Sequence, residues 1–300
     1  MRTSQAIRLL ALAAIWGGSF IFMRVLAPVL GPIATADARV MIAGIALATY
    51  FGATGVPLHL RRFWKQYVVI GILNGALPFA LFSFAALHLP AAYSAVVNST
   101  TPLFGALFGA LWLGERLTLR KLAGIALGIG GVALIGEAGG VAGGARLMVV
   151  SIAACLLAAV SYALVGVYIN RFAKGASPMG IATGSQLMAG LLLLPGVFLF
   201  PPTGAITGLV VANALGLALL CSGIAFMIYF PLMAEIGPTK ALTVTFLVPP
   251  FGMVWGLLFL GETPTWAMVA GCAVVLAGTA LVVREASPPA TKSSEVPAVR

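Results

Sequence analysis

The sequence predicts an all-α integral membrane protein with ten transmembrane helices in two inverted five-helix repeats, and three observations support this prediction. Hydrophobic residues make up 61% of the 300-residue chain and charged residues only 8%, whereas about a quarter of the residues in a soluble domain are charged. Ten apolar runs are long enough to cross about 30 Å of hydrocarbon at 1.5 Å per residue. Finally, a stretch of the first half recurs 147 positions later in the second half.

The apolar runs are separated by clusters of Pro, Gly and charged residues. Transmembrane β-strands would instead give alternating segments of about ten residues. Residues 1–27 could also be read as a cleaved signal peptide, but a run of full spanning length that contains Arg24 favours a retained first helix. We predict that the polar, Pro-rich tail 285–300 is disordered. The runs lie near 6–27, 33–54, 66–87, 91–113, 119–137, 147–169, 179–199, 208–234, 240–260 and 265–283.

The basic residues predict the orientation of the chain in the membrane. With a cytoplasmic N-terminus, 14 of the 17 basic residues fall on the cytoplasmic side, and only Arg24, Arg39 and Arg146 do not. Loops rich in Lys and Arg stay in the cytoplasm, so both termini are predicted to be cytoplasmic. The net charge of +10 is therefore a topology signal and indicates no nucleic-acid partner.

The recurring stretch indicates an internal duplication. We predict one transmembrane domain over 1–284, with repeat one at about 6–137 and repeat two at about 147–284. Because each repeat holds five helices, the second enters the membrane upside down. Inverted repeats are common in secondary transporters, which bind substrate near the midplane, although a duplication that serves only assembly is the alternative. Seven identities carry the repeat: Pro102 and Pro249, Gly105 and Gly252, Gly109 and Gly256, Gly114 and Gly261, Glu115 and Glu262, Gly124 and Gly271, and Gly131 and Gly278.

Two five-helix units that each end with a Pro, spaced glycines and a Gly-Glu before the last helix resemble the drug/metabolite transporter superfamily. The Trp-Gly-Gly-Ser-Phe sequence from Trp16, together with Arg39 in the second run, is similar to its ten-helix EamA-like exporter family over about residues 6–284. The repeats are not matched throughout, since Arg39 is replaced by Gln186. The resemblance implies a bacterial inner-membrane exporter of the kind that includes aromatic amino-acid exporters.

We therefore predict a secondary transporter that exports amino acids or similar small amphipathic metabolites by alternating access. Export of other metabolites or drugs by the same fold is one alternative, and a membrane receptor or structural protein is another. The expected partners are a small-molecule substrate and the lipid bilayer, and the protein is expected to function as a monomer.

Polar side chains inside the apolar runs are the first candidates for substrate contacts, because unpaired polar groups are costly in hydrocarbon. Asn74 and Asn98 are preferred, since an amide is hard to satisfy within its own helix. For Ser99, Thr100 and Thr101 we expect hydrogen bonds back to their own helix. The remaining candidates for substrate binding are the polar Ser222 and Thr243 and the aromatic Trp16, Phe79, Tyr162, Phe226 and Tyr229.

Four prolines inside the runs are predicted to act as hinges, because proline removes a backbone hydrogen bond and bends a helix. They are Pro78, Pro102, Pro231 and Pro249. Kinks that only improve packing are the alternative. Glycines spaced by four, Gly105 with Gly109 and Gly252 with Gly256, are predicted to let a neighbouring helix approach closely.

The few other reactive or charged residues point away from catalysis. Asp37 is expected to meet Arg24, and Arg39 is expected to have a structural role near the rim of a cavity. The two histidines, His59 and His88, fall on opposite sides of the membrane, and the chain holds no phosphate-binding Gly-Lys motif. We therefore expect no metal, no cofactor and no enzymatic activity.

Overall fold

A computed structural model describes residues 2–137, 144–236, 241 and 243–285, and these residues form helices and no strand. In chain order the elements are α1 (Thr3–Ala53), α2 (Trp64–Gly71), π1 (Ile72–Ala76), α3 (Leu77–Ala85), α4 (Ala91–Asn98), α5 (Thr101–Leu113), α6 (Leu119–Glu137), α7 (Gly144–Phe172), α8 (Pro178–Leu199), α9 (Gly208–Leu215), π2 (Gly216–Ile224), α10 (Ala225–Ile236), α11 (Val244–Leu260) and α12 (Trp266–Glu285).

The helices confirm an all-α membrane protein. In the part of the chain that the structure describes, eight helical segments are long and apolar enough to cross a bilayer, and Val244–Leu260 is a shorter apolar helix. The first segment, α1, holds 51 residues and has non-helical backbone at Gly31, with φ 78° and ψ 163°. Its arms, 3–30 and 32–53, follow the first two predicted runs. Ten crossings in all remain a prediction.

The helix α1 begins at one face of the membrane, which we call the N face. The bend at Gly31 lies at the opposite face, which we call the Gly31 face. The charge pattern predicts that the N face is cytoplasmic.

The inversion of the repeats is visible where α6 crosses α12. A Cβ on Gly124 would lie 2.6 Å from the carbonyl oxygen of Gly278, and a Cβ on Gly131 would lie 2.8 Å from that of Gly271. Residue numbers rise along one helix as they fall along the other, so the helices are antiparallel. The shift of 147 converts the first contact into the second, as a two-fold axis relating inverted halves requires.

The third and eighth predicted runs, 66–87 and 208–234, each contain a π-helical segment in place of a simple proline kink. The shift of 147 carries π1 (Ile72–Ala76) into π2 (Gly216–Ile224). A π-helix leaves backbone carbonyls with poor intrahelical partners and often marks a functional site. Here Ser161 Oγ donates to the Leu73 carbonyl at 2.8 Å, and Trp16 Nε1 donates to the Cys221 carbonyl at 3.2 Å.

The fourth predicted run, 91–113, is divided into α4 and α5 at Ser99 and Thr100, just before Pro102, the second residue of α5. As expected, the hydroxyls of Ser99, Thr100 and Thr101 bond back to carbonyls three residues earlier, at 2.6 to 2.7 Å. The equivalent α11 is continuous through Pro249. The two proline-bearing helices therefore differ in shape in this structure.

Candidate functional site

Arg39 is buried where the two repeats meet, and the residue is 6% exposed. Nε donates to Ser222 Oγ at 3.1 Å, and Cζ lies 3.7 Å from the centre of the Phe79 ring. The α1 arm that carries Arg39 packs against π2, the element that carries Ser222, so the contact joins the two repeats. A basic residue inside an apolar run was the available signal for this site.

Two groups of aromatic rings adjoin the Arg39–Ser222 contact. The first group begins with Phe79 beside Arg39: the Phe79 and Tyr162 ring centres are 6.4 Å apart, and Phe82 stacks on Tyr162 at 6.2 Å. The second group contains Trp16 and Tyr229, whose ring centres are 5.3 Å apart. The Trp16 indole also bonds the carbonyl of Cys221, the residue before Ser222. We call Trp16, Arg39, Phe79, Tyr162, Ser222 and Tyr229 the central cluster.

The other predicted site residues lie around or away from this cluster. Phe226 continues the second aromatic group, because its ring is 5.7 Å from that of Phe230, which contacts Tyr229. Asn74 lies within π1 and Asn98 ends α4. The buried Oδ1 of Asn98 has no hydrogen-bond partner in the described residues. Thr243 occupies the N-cap position of α11. The contacts that join the central cluster involve neither Asn74 nor Asn98.

The residues that the repeat relates to Arg39 and Ser222 also lie close together, but neither of them is charged. The shift of 147 takes Arg39 to Gln186 and relates Ser222 to Gly75. Gln186 is buried, and its Oε1 lies 3.6 Å from the position of a Cβ on Gly75. The same two helix positions therefore meet in both halves, but only one of the two contacts carries a charge.

The repeated Gly-Glu motif forms a helix C-cap in both halves. Gly114 and Gly261 take the left-handed conformation, with φ of 71° and 66°, which costs glycine nothing. The following glutamates then fold back, so that carboxylate atoms lie 3.0 Å from the Cβ positions of Gly109 and Gly256.

This geometry corrects the predicted role of the spaced glycines. The left-handed turns at Gly114 and Gly261 direct the following glutamate back onto the helix, where its carboxylate packs over Gly109 or Gly256. These two glycines therefore make room for a carboxylate and not for a neighbouring helix. A Cβ on Gly105 would meet nothing within 4 Å. Of the four, Gly252 fits the prediction, since its Cβ would lie 2.8 Å from Cβ of Ala95.

The Glu262 carboxylate closes a contact between the halves at the Gly31 face. Arg24 Nε lies 3.3 Å from Glu262 Oε1, and the Ala91 N–H donates to Glu262 Oε2 at 2.8 Å. Arg24 Nη1 also donates to the Ala86 carbonyl at 2.6 Å. We call Arg24 and Glu262 the Gly31-face latch. The expected Asp37–Arg24 contact is wrong, because the turn at Gly261 brings Glu262 to Arg24 instead.

The equivalent residues at the N face are not paired with each other. The shift of 147 takes Arg24 to Arg171 and relates Glu262 to Glu115. Glu115 accepts from Lys121 Nζ at 3.1 Å, while Arg171 Cζ lies 5.6 Å from the centre of the Phe172 ring. Both Arg171 and Glu115 are exposed. The latch is thus formed at one face of the membrane only.

An apolar groove of about 560 Å³ opens on the side of the bundle between α1, α9, π2 and α11. Its walls include Gly18, Phe22, Leu220 and Trp255 and none of the predicted site residues. No group of three or more His, Cys, Asp or Glu residues within the described ranges could hold a metal ion.

Comparison with known proteins identifies the family. The model of the EamA-like transporter family matches residues 4–136 and again residues 149–284. The chain belongs to the EamA-like transporter family. The double match follows the internal repeat, and membership confirms the resemblance drawn from the Gly-Glu and Trp-Gly-Gly motifs. It indicates a multi-pass membrane transporter and not an enzyme.

Relatives of this EamA-like transporter include two proteins named for amino-acid export. One, a probable terminal-alkyne amino-acid exporter of Streptantibioticus cattleyicolor, is 28% identical over 95% of both chains. The other, a probable amino-acid metabolite efflux pump of Salmonella typhimurium, is 25% identical over 90% of this chain and 91% of its own. An uncharacterised transporter of Bacillus subtilis is 26% identical over 94% and 92% of the two chains.

A solved crystal structure shares the fold of this chain. Its TM-score is 0.66 at 23% sequence identity, and the match covers 96% of this chain and all of the other.

Proposed function

We propose that this transporter exports amino acids or similar small amphipathic metabolites across a bacterial inner membrane by alternating access, with both termini in the cytoplasm. The names of two relatives support the substrate class. The observation that carries the mechanism is the one-sided latch: Arg24 pairs with Glu262 at the Gly31 face, while their repeat equivalents are apart.

Alternating access follows from exchange between two pseudo-symmetric states. In this structure the Gly31-face latch holds the end of α11 against the first arm of α1. In the opposite state Arg171 pairs with Glu115 at the N face, and the Gly31-face latch opens. Inverted repeats permit this exchange, because each half then adopts the conformation that the other half had.

The central cluster lies between the two latches and is the proposed substrate site. Aromatic rings provide an apolar wall with polar edges, which suits a small amphipathic solute. Asn74, Asn98, Phe226 and Thr243 are proposed as further substrate contacts in one of the two states. Pro78, Pro102, Pro231 and Pro249 are the proposed hinges. One chain contains both repeats, so a monomer is the proposed functional unit.

Transport by the purified protein in proteoliposomes tests this function. Each of the twenty common L-amino acids is loaded inside, and efflux is measured with and without a pH gradient, with empty liposomes as the control. We expect efflux of at least one amino acid and none of phosphorylated sugars. Flux of phosphorylated sugars but of no amino acid contradicts the substrate class. Absence of flux for every solute favours a receptor or structural role.

A further inference from the structure

Resting on the proposed transport function, we infer that Arg39 is the carboxylate-binding residue of this transporter, and that its substrates carry a carboxylate held against the guanidinium between the two aromatic groups. The inference depends on three properties of Arg39: its burial, its unpaired charge and the part of the guanidinium that remains free.

Arg39 is a buried cation without a protein counter-ion in the described residues. A guanidinium stays protonated in proteins, and burial of a charge is costly unless an opposite charge compensates it. The ion pairs in the described parts of the chain are Arg8–Glu235, Arg24–Glu262 and Lys121–Glu115. Ser222 and Phe79 offer Arg39 a hydroxyl and a ring face, and neither is charged. An anionic ligand would supply the missing charge.

The free part of the guanidinium matches a carboxylate. Ser222 uses Nε, and Phe79 covers one flat face. No hydrogen bond or ion pair described in this structure uses Nη1 or Nη2. Neither atom is among the fully buried polar atoms that lack a partner, so each terminal nitrogen keeps a small accessible surface although the residue is only 6% exposed. Two parallel N–H groups on a fixed plane bind the two oxygens of a carboxylate, and Ser222 and Phe79 hold that plane.

The asymmetry between the repeats limits the ligand to a single negative charge. The equivalent position holds the neutral Gln186, so the two halves provide one cation and not two. A phosphate dianion would keep an uncompensated charge. The Phe79 ring lies over the Arg39 guanidinium, Tyr162 contacts Phe79, and Trp16 bonds the carbonyl of the residue before Ser222. Ring faces attract an ammonium group. Rings beside a single guanidinium therefore fit an α-amino acid whose side chain is apolar or aromatic.

Binding measurements compare a carboxylate with its amide. Purified full-length protein is titrated by calorimetry with two pairs of compounds, L-phenylalanine with phenylalaninamide and 3-phenylpropanoate with 3-phenylpropanamide. Any other amino acid that the efflux panel identifies is paired with its own carboxamide. We expect the wild-type protein to bind each carboxylate about 10- to 100-fold more tightly than its amide, as a charge-assisted hydrogen-bonded pair would give.

Substitutions at Arg39 separate a binding role from a structural one. Arg39→Gln should remove the preference for carboxylate over amide, while Arg39→Lys should keep part of it, because the charge stays and the two-pronged geometry is lost. A structural role would instead weaken the acid and the amide equally. Should Arg39→Gln fail to fold, the wild-type comparison decides. Wild-type protein that binds acids and amides equally overturns the inference.

The outcomes for transport and for binding are distinct. A wild-type protein that exports no amino acid, yet prefers 3-phenylpropanoate to its amide, contradicts the proposed function and supports the carboxylate site. A protein that exports an amino acid and its carboxamide equally well supports the proposed function and contradicts the site.

Discussion

Arg24 and Glu262 join the two halves of the chain across the Gly31 face, with Arg24 Nε 3.3 Å from Glu262 Oε1 and both side chains partly buried. The residues are 238 positions apart. Glu262 reaches Arg24 because Gly261 takes the left-handed conformation, and the same carboxylate accepts the Ala91 N–H at the start of α4. One glutamate thus ties α11 to both α1 and α4.

Removal of this charge should open the Gly31 face. Glu262→Gln keeps the size and an acceptor for the Ala91 N–H but loses the ion pair. Loss of about 1–2 kcal/mol would shift the populations of the two states by about 5- to 30-fold. Distances between spin labels on either side of the latch should lengthen. The matched variant, Glu115→Gln, should shift the populations the other way, because it weakens the proposed N-face latch. Equal distance distributions in both variants would contradict the exchange of latches.

The crossing of α6 and α12 should not tolerate side chains. In Gly278→Ala the new Cβ would lie 2.5 Å from the Gly124 carbonyl oxygen, so the helices must separate, at a cost of about 1–3 kcal/mol. Gly130→Ala is the control, because a Cβ there meets nothing within 4 Å and alanine favours helix. Thermal unfolding in detergent should show a lower midpoint for Gly278→Ala only. Equal midpoints would show that the crossing is not close-packed.

The Trp16 indole N–H should stabilise the irregular backbone of π2. Trp16→Phe keeps an aromatic ring beside Tyr229 and removes the side-chain hydrogen bond to the carbonyl of the buried Cys221. We expect a stability loss of about 1–3 kcal/mol and faster amide hydrogen exchange in Gly216–Ile224. Trp266→Phe is the control, since Trp266 is 88% exposed, and it should change neither quantity. Unaltered exchange in the Trp16 variant would exclude the proposed support of π2.

Pro102 in α5 and Pro249 in α11 should each affect the opening of one membrane face. Pro102→Ala and Pro249→Ala are expected to retain folding, to slow transport and to shift cysteine accessibility in opposite directions, because the repeats have opposite orientations. In this structure the helix is interrupted before Pro102, whereas α11 is continuous through Pro249. This difference is expected if the two halves adopt unlike conformations. If both variants keep normal flux and accessibility, the prolines are passive and neighbours satisfy the freed carbonyls.

Cysteine labelling should reveal the orientation. A cysteine at Thr203 should react with a membrane-impermeant maleimide added to intact cells, and one at Lys65 or Lys174 should not. The native residues Cys155, Cys221 and Cys272 are buried, so their background labelling should be low. Gly140, a further predicted external position, lies outside the described residues. The reverse labelling pattern would refute the charge argument.

Side-chain type within apolar runs selects Trp16, Phe79, Tyr162, Ser222 and Tyr229 as predicted substrate contacts. The structure links these residues to one another through Arg39 and Cys221, and their contact with substrate stays a prediction. The sequence does not predict the partner of Arg39, because position within a run does not show which helix face a side chain occupies. Its contact with Ser222 joins residues 183 positions apart.

The sequence by itself determined that the chain lies in a lipid bilayer, that it is helical, that it contains an inverted repeat and which family it belongs to. These properties follow from local hydrophobicity, which sets how a segment partitions into a bilayer, and from identities at one constant shift. Only the tertiary structure decided that Glu262 and not Asp37 meets Arg24, that Gly109 and Gly256 receive a carboxylate, and that Arg39 contacts Ser222. Those contacts depend on the rotation and the axial position of each helix relative to its neighbours. The close packing of whole helix surfaces sets both quantities, and the sequence of a single run does not predict them.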